Sequence, residues 1–331
     1  MQSIGQNCWN EFFSHVYVEE RAASHPNTRK ILEKIKNRTV ITTDHYKDVF
    51  SPRQNFSLQK HSQKLILAVK SGNFFYRGSP MCFDHGFDEF YYATNIMNCP
   101  YDCGYCYLSG LYPSANIVVF VNIEDTFDEI KKRLAGGKPF ISVSNESDLL
   151  ALEKLTGFAR EWIRFASENK NVTAELRTKS ANFDSVADIA PTDNFIFAWS
   201  LSPEKYISEY EKKTPGLDAR LDNIIRASDA GWRVRLCFDP LLYVPGCIEE
   251  YKSFSARVFD RLARVKIFDI CAGPFRTPKT IIKKMGARNA CGVLAYPFTE
   301  RDGLYTYRND HIVELYDAIR QNAPDVPAYF Y

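Results

Sequence analysis

The chain has 331 residues, 45% of them hydrophobic and 25% charged, with a formal net charge of +2. That is enough apolar material for one large domain, or one large and one small, and too little charge bias to argue for or against nucleic acid. No apolar run approaches the roughly 20 residues of a membrane span, and nine cysteines, an odd count with no signal-like segment before them, argue against a disulfide framework and predict a reducing, cytoplasmic setting.

Residues 1–80 form a first α/β section. Residues 15–19 alternate like a short strand, 27–36 have helical periodicity, and 64–69 are strong strand material. The aromatic run Phe74, Phe75 and Tyr76, beside Arg77, suits core packing first and the stacking of an unpaired base second.

From residue 90 a rhythm begins. Strand patterns at 90–96, 140–143, 173–176, 195–199, 233–237 and 266–270 alternate with helical patterns at 125–135, 149–168, 204–212, 217–230 and 251–264. In the second of these helices Leu149, Leu152, Leu155, Phe158 and Trp162 make one apolar face, which marks core rather than a cofactor contact. Alternation of this kind predicts a parallel sheet with right-handed crossovers, either open and doubly wound or a partial barrel. The active face then lies at the carboxyl ends of the strands.

After the first of these strands comes Cys99-Pro-Tyr-Asp-Cys103-Gly-Tyr-Cys106. Three thiolates spaced C-x3-C-x2-C in a loop can hold three irons of a [4Fe-4S] cube and leave the fourth iron without a protein ligand. A molecule with an amine next to a carboxylate can chelate that iron, and S-adenosylmethionine (SAM) is the molecule that radical enzymes present to such a site. A structural zinc is the competing reading; it usually takes two cysteine pairs, and no second pair follows here, while His85 would have to fold back from upstream.

The remaining strand ends supply polar residues that could grip SAM: Ser144 to Asp148, Arg177 to Ser180, Ser200 to Ser202, Cys237 to Asp239, and Cys271 to Arg276. Ser180, Ser202 and Asp239 equally suit helix caps; the charge of Lys179 serves no cap.

Several segments together resemble the spore photoproduct lyase family of radical SAM enzymes: Gly104 to Leu108, Val119 to Glu124, Glu146 to Asp148, Leu155 to Gly157, Arg177 to Lys179 and Phe275 to Lys279. The likeness extends to Val16 to Glu20 at the start and Ala328 to Tyr331 at the end. It implies a partial (β/α)6 TIM-like barrel over residues 81–285, with residues 1–80 as an α/β extension and 286–331 as a C-terminal cap. It also implies cleavage of SAM at a [4Fe-4S] cluster to a 5'-deoxyadenosyl radical, for repair of a thymine dimer, 5-thyminyl-5,6-dihydrothymine, in DNA. Cys99, Cys103 and Cys106 match the cluster ligands. Ser147, Asp148, Lys179 and Ser200 match SAM contacts, with Asp239 added from its strand end. Tyr105 and Tyr107 match tyrosines of a hydrogen-atom relay. A flavodoxin, a ferredoxin or another reductase is the expected electron donor.

One position departs from the pattern. The family's loop Cys-Thr-Ser-Asp places a hydrogen-donating cysteine where this chain has Asn145, and an amide N–H bond is too strong to serve. Cys237 and Cys271 could turn a replacement thiol inward, though buried cysteines are mostly small apolar fillers. Arg276, Lys279, Lys283, Lys284 and Arg288 form a basic segment that fits a phosphate track or a solvated helix face. Two alternatives accompany the lyase reading: a radical SAM enzyme with a different substrate, and a DNA-binding or metal-binding scaffold without turnover.

Overall fold

The computed structural model describes residues 12–35, 38–52, 55–78, 86–87, 89–288 and 291–331. Its first sheet joins β1 (Val16–Glu19), β2 (Val40–Thr43), β3 (Leu65–Ala68), β6 (Ile96–Met97) and β8 (Ile117–Phe120) in the order β2-β1-β3-β8-β6. All pairs are parallel except β6 on β8. The sheet begun before residue 80 is therefore completed by strands beyond it; residue 80 itself, like His85, lies outside the described residues. Among the described residues no helix is long and apolar enough to cross a membrane.

The second sheet contains the six strands expected from the rhythm. These are β5 (Phe90–Ala93), β9 (Phe140–Ser142), β10 (Thr173–Thr178), β11 (Phe195–Ser200), β13 (Arg233–Leu241) and β14 (Ile267–Pro274), contiguous and parallel. The antiparallel β4 (Phe75–Arg77) extends one edge, and β18 (Ala328–Phe330) adds a seventh parallel strand at the other.

Period-two alternation separates the two faces of this sheet. Ile141, Ala174, Leu176, Phe197, Trp199, Val234, Leu236 and Ile270 go to the main apolar core under the helices. The opposite face carries Ser142, Glu175, Arg177, Arg235, Cys237, Asp269 and Cys271, matched in register across neighbouring strands. Arg177 on β10 lies 3.8 Å from the sulfur of Cys271 on β14, three strand spacings away. A flat sheet would hold those strands about 14 Å apart, so the sheet curls with its polar face concave. On that face Arg235 bridges Glu175 and Asp269 and closes the floor of the half-barrel.

Two expected helices differ from the periodicity. The pattern at 149–168 divides into helices Glu153–Thr156 and Phe158–Glu168 around Gly157, whose φ of 76° is the left-handed conformation that glycine adopts without steric cost. The carboxylate of Glu153 then accepts from the backbone of Ala159 at 2.7 Å and Arg160 at 3.3 Å, capping the second helix. The pattern at 204–212 ends at Tyr210, and Glu211–Lys212 becomes β12, paired antiparallel with β7 (Asp102–Cys103) in the cysteine loop. Tertiary pairing with that loop outweighs a helical preference worth only tenths of a kcal/mol per residue.

Burial pushes the Glu153 carboxyl up to about 7, against its backbone hydrogen bonds and the charges of Arg160 and Lys34. The folded protein keeps this proton above the ordinary value of 4.5 while the unfolded chain releases it. The contribution to stability is thus complete below that value and declines as the pH rises to about 7. Glu153→Gln is expected to flatten this decline in urea-denaturation midpoints taken from pH 4.5 to 7.5. Equal slopes in both proteins would count against it.

Candidate active site

The expected strand at 90–96 divides, β5 ending at Ala93 and Ile96–Met97 joining the first sheet as β6. The cysteine loop leaves β6 through Asn98, whose φ is 65° and whose amide donates to the carbonyls of Ser114 and Asn116 at 2.8 Å each. Lys60 and Gln63 hold the carbonyl of Cys99, at 2.5 and 3.3 Å. Gly104 donates its N–H to Tyr210 at 2.7 Å, and a Cβ there would meet the sulfur of Cys291 at 3.0 Å, so glycine lets the loop pack closely on the C-terminal segment without displacing that side chain.

Cys99, Cys103 and Cys106 are free and partly exposed, and each lies within electrostatic reach of another of the three. Burial pushes the Cys99 thiol up to about 12, and raises Cys103 and Cys106 as well, with Lys60 or Lys179 opposing. A site of this kind gives up its protons when a cationic centre arrives to compensate the thiolates. Among the described residues no three His, Cys, Asp or Glu side chains converge on one point as a single ion requires. A cube makes no such demand, since each thiolate binds its own iron. The donor set fits a three-cysteine cluster.

Beside the loop stands a buried carboxylate that the periodicity concealed. Glu211, with no exposed side-chain surface, accepts from the Tyr105 hydroxyl, from Ser202 at 2.9 Å and from Arg220 at 2.5 Å. Lys179 completes the group at 4.0 Å, its ammonium 5.8 Å over the Tyr105 ring. Burial alone would raise the Glu211 carboxyl, yet Arg220, Lys179 and the Tyr105 hydroxyl bring it down to about 2. The Lys179 ammonium, which burial disfavours, is held above its usual value by Glu211 and the Cys103 sulfur. Arg220 also donates to Pro215 at 3.0 Å and to Ser200 at 2.9 Å, tying β11 into the same network.

The other expected contacts divide by their partners. Ser147 has a buried hydroxyl with no hydrogen-bond partner among the described residues. Asp148 spends both oxygens internally, on Thr178 and on the backbone N–H groups of Ala151 and Lys179, so it fixes the strand ends. Ser200 is buried at the end of β11, in register with Cys237. Asp239 lies in a separate cluster, accepting from Arg177 at 3.0 Å and from the Tyr331 hydroxyl at 2.9 Å, with Arg276 at 3.6 Å. Tyr105 and Tyr107 engage different groups: Tyr107 is 37% exposed and donates to the carbonyl of Asn145 at 2.6 Å. The neighbouring Glu146 accepts from Tyr112.

Cys237 and Cys271 do face the concave side, but both are fully covered and pack with Ala198, Tyr329 and Tyr331. In the basic segment, Arg276 turns inward over the Tyr331 ring at 4.7 Å, Lys279 pairs with Glu300 at 3.3 Å, and Arg288 donates to Tyr112 at 2.6 Å. Lys283 and Lys284, like Lys279, are exposed on the helix Lys279–Arg288.

Glu211→Ala strands Arg220 in a fully buried site without its carboxylate. An uncompensated buried charge costs about 3–5 kcal/mol, to be read as a loss of that size in urea denaturation. A loss below about 1 kcal/mol would show that water reaches Arg220.

Comparison with known proteins follows the same lines. The family model described as "Spore photoproduct lyase" matches residues 12–285. The spore photoproduct lyase of Bacillus subtilis (strain 168) is 24% identical over 247 residues, covering 72% of this chain and 70% of that protein. That of Clostridium acetobutylicum is 21% identical over 276 residues, covering 80% of each. A solved spore photoproduct lyase variant with bound AdoMet and dinucleoside spore photoproduct has a TM-score of 0.83 at 20% identity, covering 96% of this chain and 99% of that one. The lyase complexed with dinucleoside spore photoproduct gives 0.79, again at 20% identity, over 96% and 98%. The structures share the fold, and with the family model spanning most of its length the chain belongs to the spore photoproduct lyase family, a family of enzymes.

Proposed function

We propose that this protein is a radical SAM lyase that cleaves SAM at a [4Fe-4S] cluster and acts on a thymine lesion of the spore photoproduct type in DNA. The observation that supports it best is the three-thiol loop backed by the Glu211, Lys179 and Tyr105 network at the carboxyl ends of a curled parallel sheet. Cys99, Cys103 and Cys106 would hold the cluster, which with SAM supplies a 5'-deoxyadenosyl radical. Ser147 would spend its unpartnered hydroxyl on SAM, and Lys179 would present its ammonium to an anionic group of the cofactor. Glu211 and Arg220 hold Lys179 and Tyr105 in place so that neither must reorganise on binding. Tyr107, partly exposed and hydrogen-bonded to the Asn145 carbonyl, would serve with Tyr105 in the hydrogen-atom relay that the family resemblance implies.

A second reading keeps this chemistry and changes the substrate. It draws support from the loop itself, where Asn145 replaces a donor thiol and Glu146 binds Tyr112.

Anaerobically reconstituted protein is expected to carry about four irons and four sulfides per chain and, with dithionite, to convert SAM to 5'-deoxyadenosine. Zinc in place of iron, or intact SAM, would defeat both readings. Incubation with dinucleotide spore photoproduct separates them: restored thymines support the lesion substrate, and 5'-deoxyadenosine without repair supports another. Asn145→Cys should raise repair of that dinucleotide, and no gain counts against it. Ser147→Ala is expected to leave the denaturation midpoint unchanged and to weaken SAM binding by about tenfold in equilibrium dialysis, the weight of one hydrogen bond to a charged ligand.

A further inference from the structure

We propose that Cys237 and Cys271 are a redox-active dithiol that closes to a cross-strand disulfide on the concave face of the sheet. The two residues stand in register on the parallel strands β13 and β14. Neighbouring strands are about 4.8 Å apart, inside the window of roughly 4.4–6.8 Å between Cα atoms that a disulfide spans. The side chains point to the same face, and their sulfurs share a hydrogen bond at 3.2 Å. Small rotations about the two Cα–Cβ bonds therefore separate this contact from a bond.

The pair lies apart from the main apolar core, in a small cluster with Ala198, Tyr329 and Tyr331 on the opposite face of these strands. Charged groups reach that small cluster as well. Arg177 reaches the sulfur of Cys271 at 3.8 Å, and Arg235 sits two residues before Cys237 on the same face of β13. Against the burial that raises it, the hydrogen bond from Cys237 and these two guanidinium groups bring Cys271 below the ordinary thiol value; Cys237 is raised. Cys271 is thus the nucleophile and Cys237 the resolving thiol.

Both sulfurs lack exposed surface, so the oxidant class that fits is a peroxide of nearly the size of water. The Cys271 sulfur attacks one oxygen of hydrogen peroxide; the O–O bond breaks, and hydroxide leaves with the proton Cys271 has given up. Cys237 then attacks the sulfenic sulfur, the S–S bond forms, and a second water departs. Two thiols and one peroxide become one disulfide and two waters, with the two electrons passing from sulfur to oxygen. Closure takes from Arg177 its sulfur partner and leaves it to Glu175 and Asp239.

The full chain, kept under nitrogen, is treated with one equivalent of hydrogen peroxide, unfolded in N-ethylmaleimide and mapped by mass spectrometry. The expected product is a linked peptide pair joining Cys237 to Cys271, lost on treatment with dithiothreitol. In Cys237→Ser the linkage vanishes and Cys271 is trapped as a dimedone adduct of its sulfenic acid; should that variant fail to fold, Cys237→Ala is used. Recovery of both residues as maleimide adducts while Cys291 is oxidised would overturn the proposal, as would sulfinic acid at Cys271 without linkage. No SAM turnover enters the measurement, so its outcome is independent of the lyase reading.

Discussion

The ionised carboxylate of Glu211, buried without any contact with water, is the constraint on which the site depends. A lone carboxylate in that position would cost several kcal/mol in lost hydration. It persists because Arg220, Lys179, Tyr105 and Ser202 converge on it, each from a different element. The same convergence fixes the cysteine loop, since β12, which carries Glu211, is the strand that pairs with Cys103. Charge satisfaction and loop geometry are thus linked: displacing the loop would take from the carboxylate the Tyr105 hydroxyl and from β12 its pairing.

The concave face repeats this logic on a larger scale. Arg235 lies between Glu175 and Asp269, and Arg177 between Glu175 and Asp239, so acids and bases alternate across β10, β13 and β14. Such pairs add little net stability over well-packed apolar residues. Their effect is to let a polar layer be buried on this face, each charge compensated by a partner on a neighbouring strand.

The loop after β9, in which the family resemblance sets Asn145 against an expected donor cysteine, is tied back to the segment that follows the three thiols. There the backbone of Asn145 and the side chain of Glu146 are tied to Tyr107 and Tyr112, which follow the cysteines. That loop is therefore joined by hydrogen bonds to the segment after the cysteines.

The order of strands and helices, the parallel sheet and the three thiols were set by sequence alone, because period-two and period-3.6 patterns and a fixed cysteine spacing are local properties. Gly157 lay in plain view, yet its break in the 149–168 helix was not, since glycine inside a helical pattern is often tolerated. Tertiary structure alone decided the rest. Glu211 and Arg220 became the centre of the site only through the pairing of β12 with β7, a contact between residues more than a hundred positions apart. Arg276 and Arg288, which a linear scan places with Lys283 on one basic segment, were drawn inward by Asp239, Tyr331 and the carbonyl of Tyr112. The physical reason is common to these cases: a charged side chain goes where its desolvation is compensated, and the compensating partner is found in space, not along the chain.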